Sequence, residues 1–206
     1  MPSIDEVRSA FAQYRPQIIS NWPKRRAAVA IALCERSGEL QILFIERASR
    51  EGDPWSGHMA FPGGRVDDTD VSPQAAAQRE TLEEVGLSLA GCELLGQLDD
   101  SQGLPGTARE LVVSAFVFHV AEPPLLVPNH EVRRAFWFPV ESLLDSRLHI
   151  EHRVVRGTRT HFPGILVGEP GRHVVWGLTY RFLESFMQII GQPLPERWKF
   201  DQDGVL

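Results

Sequence analysis

The sequence predicts an α/β protein, an α/β/α sandwich on a mixed sheet with an added N-terminal helix. Three observations predict it. Residues 27–35, AAVAIALCE, form a continuous apolar run, as in a strand buried on both faces. Further strand patterns fall at 40–47, 92–98, 110–120 and 131–140, with a helical stretch between the first two of these. Residues 174–190 read as an amphipathic helix, with Leu178, Phe182, Phe186 and Ile189 on one stripe.

In chain order, residues 3–20 read as the first helix. Ser3 suits the N-cap, Asp5 and Glu6 fall in the first turn, and Ile4, Val7, Phe11 and Tyr14 recur at helical spacing until Pro16. Pro23 to Arg26 form a short basic linker. In the strand that follows, Val29, Ile31 and Leu33 point one way. Ala28, Ala30 and Ala32 point the other, a small-residue face that lets a helix approach closely. Ser37-Gly38 is a turn, so Leu40 to Arg47 closes a hairpin. Residues 99–109, DDSQGLPGTAR, form a loop long enough to shape a pocket. Pro123, Pro124 and Pro128 make 121–130 a loop. Residues 139–145 read as a short helix, and 149–156 with 158–162 as a hairpin around Gly157, followed after the last helix by an irregular tail. This divides the chain into an accessory helix and linker (1–26), a main domain (27–191) and a tail (192–206).

The 206 residues suffice for one domain with a substantial core, and 43% hydrophobic with 23% charged residues is ordinary for a globular chain. A net charge of −6 argues against a nucleic-acid polymer as partner, which needs a basic stripe. It does not exclude small nucleotides, since a bound metal supplies positive charge locally. Cys34 and Cys92 read as reduced thiols outside any zinc spacing. No apolar run is long enough to span a bilayer, and MPSIDEVRSAFAQYRP lacks the apolar core of a signal peptide, so the expected compartment is the cytoplasm. A homo-oligomer is compatible with the sequence.

The chemistry concentrates in residues 57–87, GHMAFPGGRVDDTDVSPQAAAQRETLEEVGL. A glycine-rich loop runs into a helix with Ser72 as N-cap, Pro73 at the first position and Gly86 at the C-terminus. At about 100° per residue, Glu80, Glu83 and Glu84 share one narrow arc, and Arg79 sits four residues before Glu83. Ala75, Gln78, Leu82 and Val85 are the expected buried face. Carboxylates crowded in this way repel unless a counter-charge is present, and hard oxygen ligands suit Mg²⁺ or Mn²⁺. Taken alone, an RExxEE string is more often a solvated helix face. Phe61-Pro62-Gly63-Gly64 points to more, because the paired glycines permit a tight turn or a close approach to a ligand.

This stretch resembles the Nudix box, G-x5-E-x7-R-E-U-x-E-E-x-G-U. Gly64, Arg79, Glu80, Thr81, Glu83, Glu84, Gly86 and Leu87 match it. Asp70 replaces the first glutamate, and the spacer from Asp70 to Arg79 is eight residues rather than seven. The resemblance implies the Nudix-type sandwich and hydrolysis of a nucleoside diphosphate linked to another group. It implies Glu80 and Glu84 as metal ligands, joined by Glu83 and the Gly64 carbonyl. Arg79, Glu83 and Glu84 are then catalytic, together with a base outside the helix. Glu131 is the first candidate for that base and Glu110 the second, each otherwise a surface carboxylate. His58 could reach a phosphate. His130 and His161 fall in loops, and all three read more readily as ordinary solvated or core histidines.

Gly57-x3-Phe61-Pro62-Gly63-Gly64, with Leu43 and Arg47 upstream and Val175-Trp176-Gly177-Leu178-Thr179 downstream, resembles the coenzyme A diphosphatase group of that family. This implies coenzyme A or an acyl derivative as substrate, with 3′,5′-ADP and 4′-phosphopantetheine as products. Arg47, Arg50, Gly57, Phe61, Gly63 and Arg65 would bind substrate. Asp53 stands where the group has an arginine, and the spacing from Arg47 to Gly57 is one residue longer than in that group. Trp55 could stack on a base, though packing under its loop is the expectation. Two alternatives stay open: cleavage of ADP-ribose or another nucleotide derivative, and a catalytically silent binding module.

Overall fold

The apolar run of 27–35 becomes the centre of the sheet. In the computed structural model, which describes residues 2–20, 25–50, 55–102, 111–156 and 158–195, strand β1 (Arg25–Arg36) turns through Ser37 and Gly38 into β2 (Glu39–Arg47). Both turn residues have positive φ, 54° and 79°, which suits the right-handed twist of a two-residue hairpin. The sheet continues with β3 (Met59–Ala60), β4 (Gly63–Arg65), β5 (Glu93–Gln97), β6 (Ser101–Gln102), β7 (Leu111–His119) and β8 (Val132–Pro139). Its main path is β3-β2-β1-β7-β5, with β4 on β1, β6 on β7 and β8 on β2. The β1–β7 pairing is parallel and the other pairings are antiparallel, so the sheet is mixed as expected.

The alternation along β1 divides the core in two. Ala28, Ala30, Ala32 and Cys34 pack on Ala76, Ala77 and Val85 of α2 (Pro73–Val85). The small side chains let that helix approach closely. On the other face Ile31 and Leu33 join Ile42, Phe44 and Val113 beneath α1 (Ile4–Gln13) and α3 (Gly177–Ile189). Phe182, Leu183, Phe186 and Met187 of α3 are buried there, and each such side chain contributes about 1.5–3 kcal/mol. Among the described residues, one helix on one face and two on the other give the predicted sandwich.

The N-terminal helix docks on its own domain. Ser3 and Glu6 form a reciprocal capping box, and Phe11 lies against Gly96 of β5 and stacks on Phe186 with ring centroids 6.2 Å apart. Arg8 holds Glu93 through two hydrogen bonds of 2.7 and 2.8 Å. The Tyr14 hydroxyl donates to Asp99 at 2.6 Å, and the Ile19 N–H donates to Asp100 at 2.9 Å.

Several expected boundaries shift. The first helix stops at Gln13, where Tyr14 turns extended ahead of Pro16, rather than reaching residue 20. Arg25 and Arg26 belong to β1 rather than to a linker, and Lys24 lies outside the described residues. The short helix after β8 is a 3₁₀ turn, Glu141–Leu144. The stretch read as one helix from 174 opens as a strand, β11 (Val174–Trp176). It pairs with β10 (Thr158–Leu166), which pairs with β9 (His149–Arg156), forming a second small sheet. Gly177, with φ of 62°, separates strand from helix. His161 therefore lies in a strand, where its ring bonds Glu151. No helix among the described residues is long and apolar enough to cross a membrane.

Candidate active site

The site forms where α2 lies against β4. Ser72 caps the helix by accepting from the Ala75 N–H at 3.1 Å, and Gly86 closes it in the left-handed region, both as the sequence predicts. The buried face matches the predicted one only in part: Val85 is buried as expected, and Ala75 and Gln78 are half-buried. Leu82 is 51% exposed, whereas Thr81 and Glu84 are buried with Ala76, Ala77 and Val85. The cause is the strand opposite. Gly63 and Gly64 present no side chains, so the helix can turn its carboxylates inward against bare backbone. A Cβ on Gly64 would collide with the Glu80 carboxylate. Gly63 has φ of 152°, and its Cβ would fall 2.6 Å from the Val29 Cα. Its N–H donates to Glu84 Oε2 at 2.9 Å.

Glu84 is 2% exposed. Burial pushes its carboxyl up to about 7, the Glu80 and Glu131 charges push the same way, and the Gly63 N–H and the Arg47 charge oppose them. Burial also raises Glu80, against the pull of Arg79. Glu83 projects outward, its side chain 55% exposed, with Arg79 at 3.4 Å. Arg79 is the hub. The sequence pairs it with Glu83, but its firmest partner is Asp70, which accepts from Nε at 3.0 Å and from Nη2 at 2.9 Å. It also donates to Glu80 at 3.0 Å and to the Arg65 carbonyl at 3.1 Å. Hydrogen bonding from Arg79 holds the Asp70 carboxyl below its usual range. Asp70 thus anchors the arginine that positions the helix acids, a role that sequence spacing alone does not reveal.

The donor set fits a hard divalent cation. Two inward carboxylates four residues apart meet a strand that leaves them room, and their mutual repulsion is relieved by a cation. No three His, Cys, Asp or Glu side chains among the described residues form a closed cage. A hard divalent ion such as Mg²⁺ keeps several of its own waters and needs few protein ligands.

Other predicted residues gather at the same end of the sheet. Arg47 and Glu131 both act on the Glu84 charge, and Glu131 pairs with Arg50 at 3.3 Å. The Asn129 N–H donates to the Glu84 carbonyl at 2.9 Å, which ties the loop carrying Glu131 to the end of α2. Gly57, with φ of 72°, donates its N–H to the Arg47 carbonyl at 3.1 Å. Phe61 does not face a ligand: it is 3% exposed and stacks on Phe44 in the core, at 5.3 Å. Arg65 contributes its carbonyl to Arg79, while its side chain is exposed. Trp55, expected to pack, is half exposed. The His58 ring meets Trp176 edge-on at 4.8 Å, and His130 lies 3.8 Å from Glu131. Asp53 and Glu110 lie outside the described residues, as do positions 103–109 of the expected pocket loop, Gly157 and the tail from 196.

The NUDIX domain family model matches residues 23–156, more than half of the chain. A Schizosaccharomyces pombe protein, uncharacterized, is 35% identical over 177 residues, covering 73% of this chain; the chain spans 54% of that relative's length. The human mitochondrial coenzyme A diphosphatase NUDT8 is 34% identical over 166 residues, covering 80% of this chain and 69% of the human protein. The Nudix hydrolase NudL of Cronobacter sakazakii, also uncharacterized, is 31% identical over 195 residues, covering 92% of this chain and 96% of that protein. Among solved structures, a MutT/nudix family protein from Enterococcus faecalis superposes with a TM-score of 0.55 at 18% identity, covering 92% of this chain and 70% of that one. Sequence and fold agree on the same assignment: the chain belongs to the Nudix hydrolase family.

Proposed function

We propose that this Nudix hydrolase cleaves the diphosphate linkage of coenzyme A or an acyl derivative, giving 3′,5′-ADP and 4′-phosphopantetheine. The observation that carries the substrate is the 34% identity, over 80% of this chain, to the human coenzyme A diphosphatase. The sequence around Gly57 and Phe61 to Gly64 supports it.

Nudix hydrolases generally use divalent metal ions. Here Mg²⁺ or Mn²⁺ would be held by Glu80 and Glu84, with Glu83 and the Gly64 carbonyl contributing. The ion would neutralise diphosphate charge and lower the pKa of a bound water. The chain's own residues do the remaining work. The Gly63 N–H fixes the orientation of Glu84. Asp70 and Arg79 fix Glu80, so the acids are placed before substrate arrives. Arg47 supplies positive charge beside Glu84 and would meet the diphosphate. Glu131 is the proposed general base; it lies near Glu84, and its pairing with Arg50 keeps it oriented.

The test is hydrolysis across coenzyme A, ADP-ribose, NADH, a diadenosine polyphosphate and dNTPs, with Mg²⁺ and with Mn²⁺. Release of 3′,5′-ADP from coenzyme A, abolished in Glu84→Gln, is the expected result. Cleavage of ADP-ribose in preference to coenzyme A overturns the substrate. No cleavage of any member, with metal bound, favours a silent binding module.

A further inference from the structure

Strand β8 departs from regular pairing where it passes the active-site end of β2. Glu46 pairs with Arg134 and Arg47 pairs with Val132, so Arg133 is an extra residue in a bulge. Bulges concentrate at sheet edges and beside active sites, where they re-aim a side chain. Among the described strands β8 pairs only with β2, so this bulge lies on an edge. It is also close to the chemistry, because Arg47, opposite Val132, acts on the Glu84 charge.

The bulge gathers cations. Arg133 approaches Glu46 at 3.8 Å, and Arg134 donates to Glu169 at 2.7 Å. Both acids already have a partner in Arg172. Its Nε and Nη2 donate to Glu46 Oε1 at 3.0 and 2.9 Å, and its Nη1 donates to Glu169 at 3.0 Å. Glu46 is 2% exposed, so Arg172 is the counter-charge that makes its burial tolerable. Three guanidiniums thus face two carboxylates, in a chain whose net charge is −6. The surplus falls on Arg133. Its side chain is 58% exposed, and among the described residues its guanidinium makes no hydrogen bond. A cation added where the anions are already matched contributes little to the fold. It is placed to meet an anion from outside, and a guanidinium fork matches a phosphate.

We infer that Arg133, backed by Arg134, forms a subsite for the 3′-phosphate on the adenosine of coenzyme A. This rests on the coenzyme A reading above.

The experiment compares kcat/KM for coenzyme A and for dephospho-coenzyme A, which differ only in that phosphate. The proteins are the unaltered chain, Arg133→Gln, Arg134→Gln, and Arg147→Gln as a surface control. Arg133→Gln leaves the Glu46–Arg172 pairing in place, so the fold should survive. The unaltered chain should prefer coenzyme A by about tenfold, chiefly through KM. Arg133→Gln should remove most of that preference while changing dephospho-coenzyme A turnover far less, and Arg147→Gln should retain it. Calorimetric titration with 3′,5′-ADP and 5′-AMP should show the same loss of discrimination without turnover. Equal use of the two substrates by the unaltered chain overturns the subsite and leaves the coenzyme A reading standing. So does a variant that slows both equally. Cleavage of neither substrate overturns both.

Discussion

Gly63 and Gly64 are neighbours, yet alanine at each should fail in a different way. At Gly63 the new Cβ would lie 2.6 Å from the Val29 Cα and 2.9 Å from its Cγ1, and the backbone φ is 152°. The main obstacle is backbone, which cannot rotate away. Strain in that conformation costs about 1–3 kcal/mol and overpacking about 1–3 kcal/mol. If β4 moves off β1 to relieve it, the 2.9 Å bond from the Gly63 N–H to Glu84 is lost. A bond to a charged group is worth about 1.5–3 kcal/mol. We expect Gly63→Ala to lose about 4 kcal/mol, or roughly 10 °C in Tm for a chain of this size. At Gly64 the obstacle is the end of the Glu80 side chain, which can swing aside. Gly64→Ala should therefore cost about 1 kcal/mol in stability. It should weaken Mg²⁺ binding and turnover by about tenfold or more, because Glu80 is displaced. Urea unfolding gives the first quantity, and metal titration with single-turnover hydrolysis gives the second. A Gly63→Ala protein within 1 kcal/mol of the parent, or a Gly64→Ala protein with unchanged metal affinity, would refute this account of the seam.

Other substitutions separate the parts of the molecule. Glu84→Gln should reduce turnover by at least about a hundredfold with the fold intact by circular dichroism, and it should sharply reduce the rise in Tm that Mg²⁺ gives the parent. Asp70→Asn should lower kcat by about tenfold, since Arg79 loses its anchoring charge; unchanged kcat would show that Glu80 and Glu83 position Arg79 unaided. Phe11→Ala should lose about 3 kcal/mol in denaturant unfolding, as expected for a buried aromatic touching Gly96 and Phe186. For Tyr14, burial and then the bond to Asp99 raise the phenol to about 12. A raised folded value means the neutral form is favoured on folding, so its contribution is complete below pH about 10 and fades toward 12. The stability gap to Tyr14→Phe, about 1 kcal/mol, should follow that course.

What the sequence revealed was local. The alternation of alanines with Val29, Ile31 and Leu33 states which face of β1 meets α2, because a strand's side chains have a fixed period. The caps of α2 are legible for the same reason: Ser72, Pro73 and Gly86 act on their own turn. The buried face of that helix is legible only in part: Val85 is buried as its position implies, and Leu82 is not. Hydrophobicity points to Leu82, whereas the glycines of β4 admit Glu84, and that choice depends on a segment that periodicity does not connect to the helix. Asp70 escaped because its partner lies nine positions away across a loop rather than one helical turn. The Glu46–Arg172 pair joins residues 126 positions apart and left no mark in either stretch. Residues 174–176 read as part of the following helix because their apolar character suits both, and only the backbone at Gly177 divides them.

The parallel pairing at the centre of the sheet bears on how the enzyme assembles. Arg25 of β1 lies beside Leu111 of β7, 86 positions later, so this pairing must close a long loop before its contacts repay the entropy. The hairpin of β1 with β2 has no such delay. Ala27 to Val29 of β1 carry β7 on one side and the glycine strand β4 on the other. The carboxylate seam therefore depends on a strand whose second neighbour arrives late. On refolding from urea, early hairpin structure should precede native near-ultraviolet ellipticity, and hydrolysis should return with the slower phase.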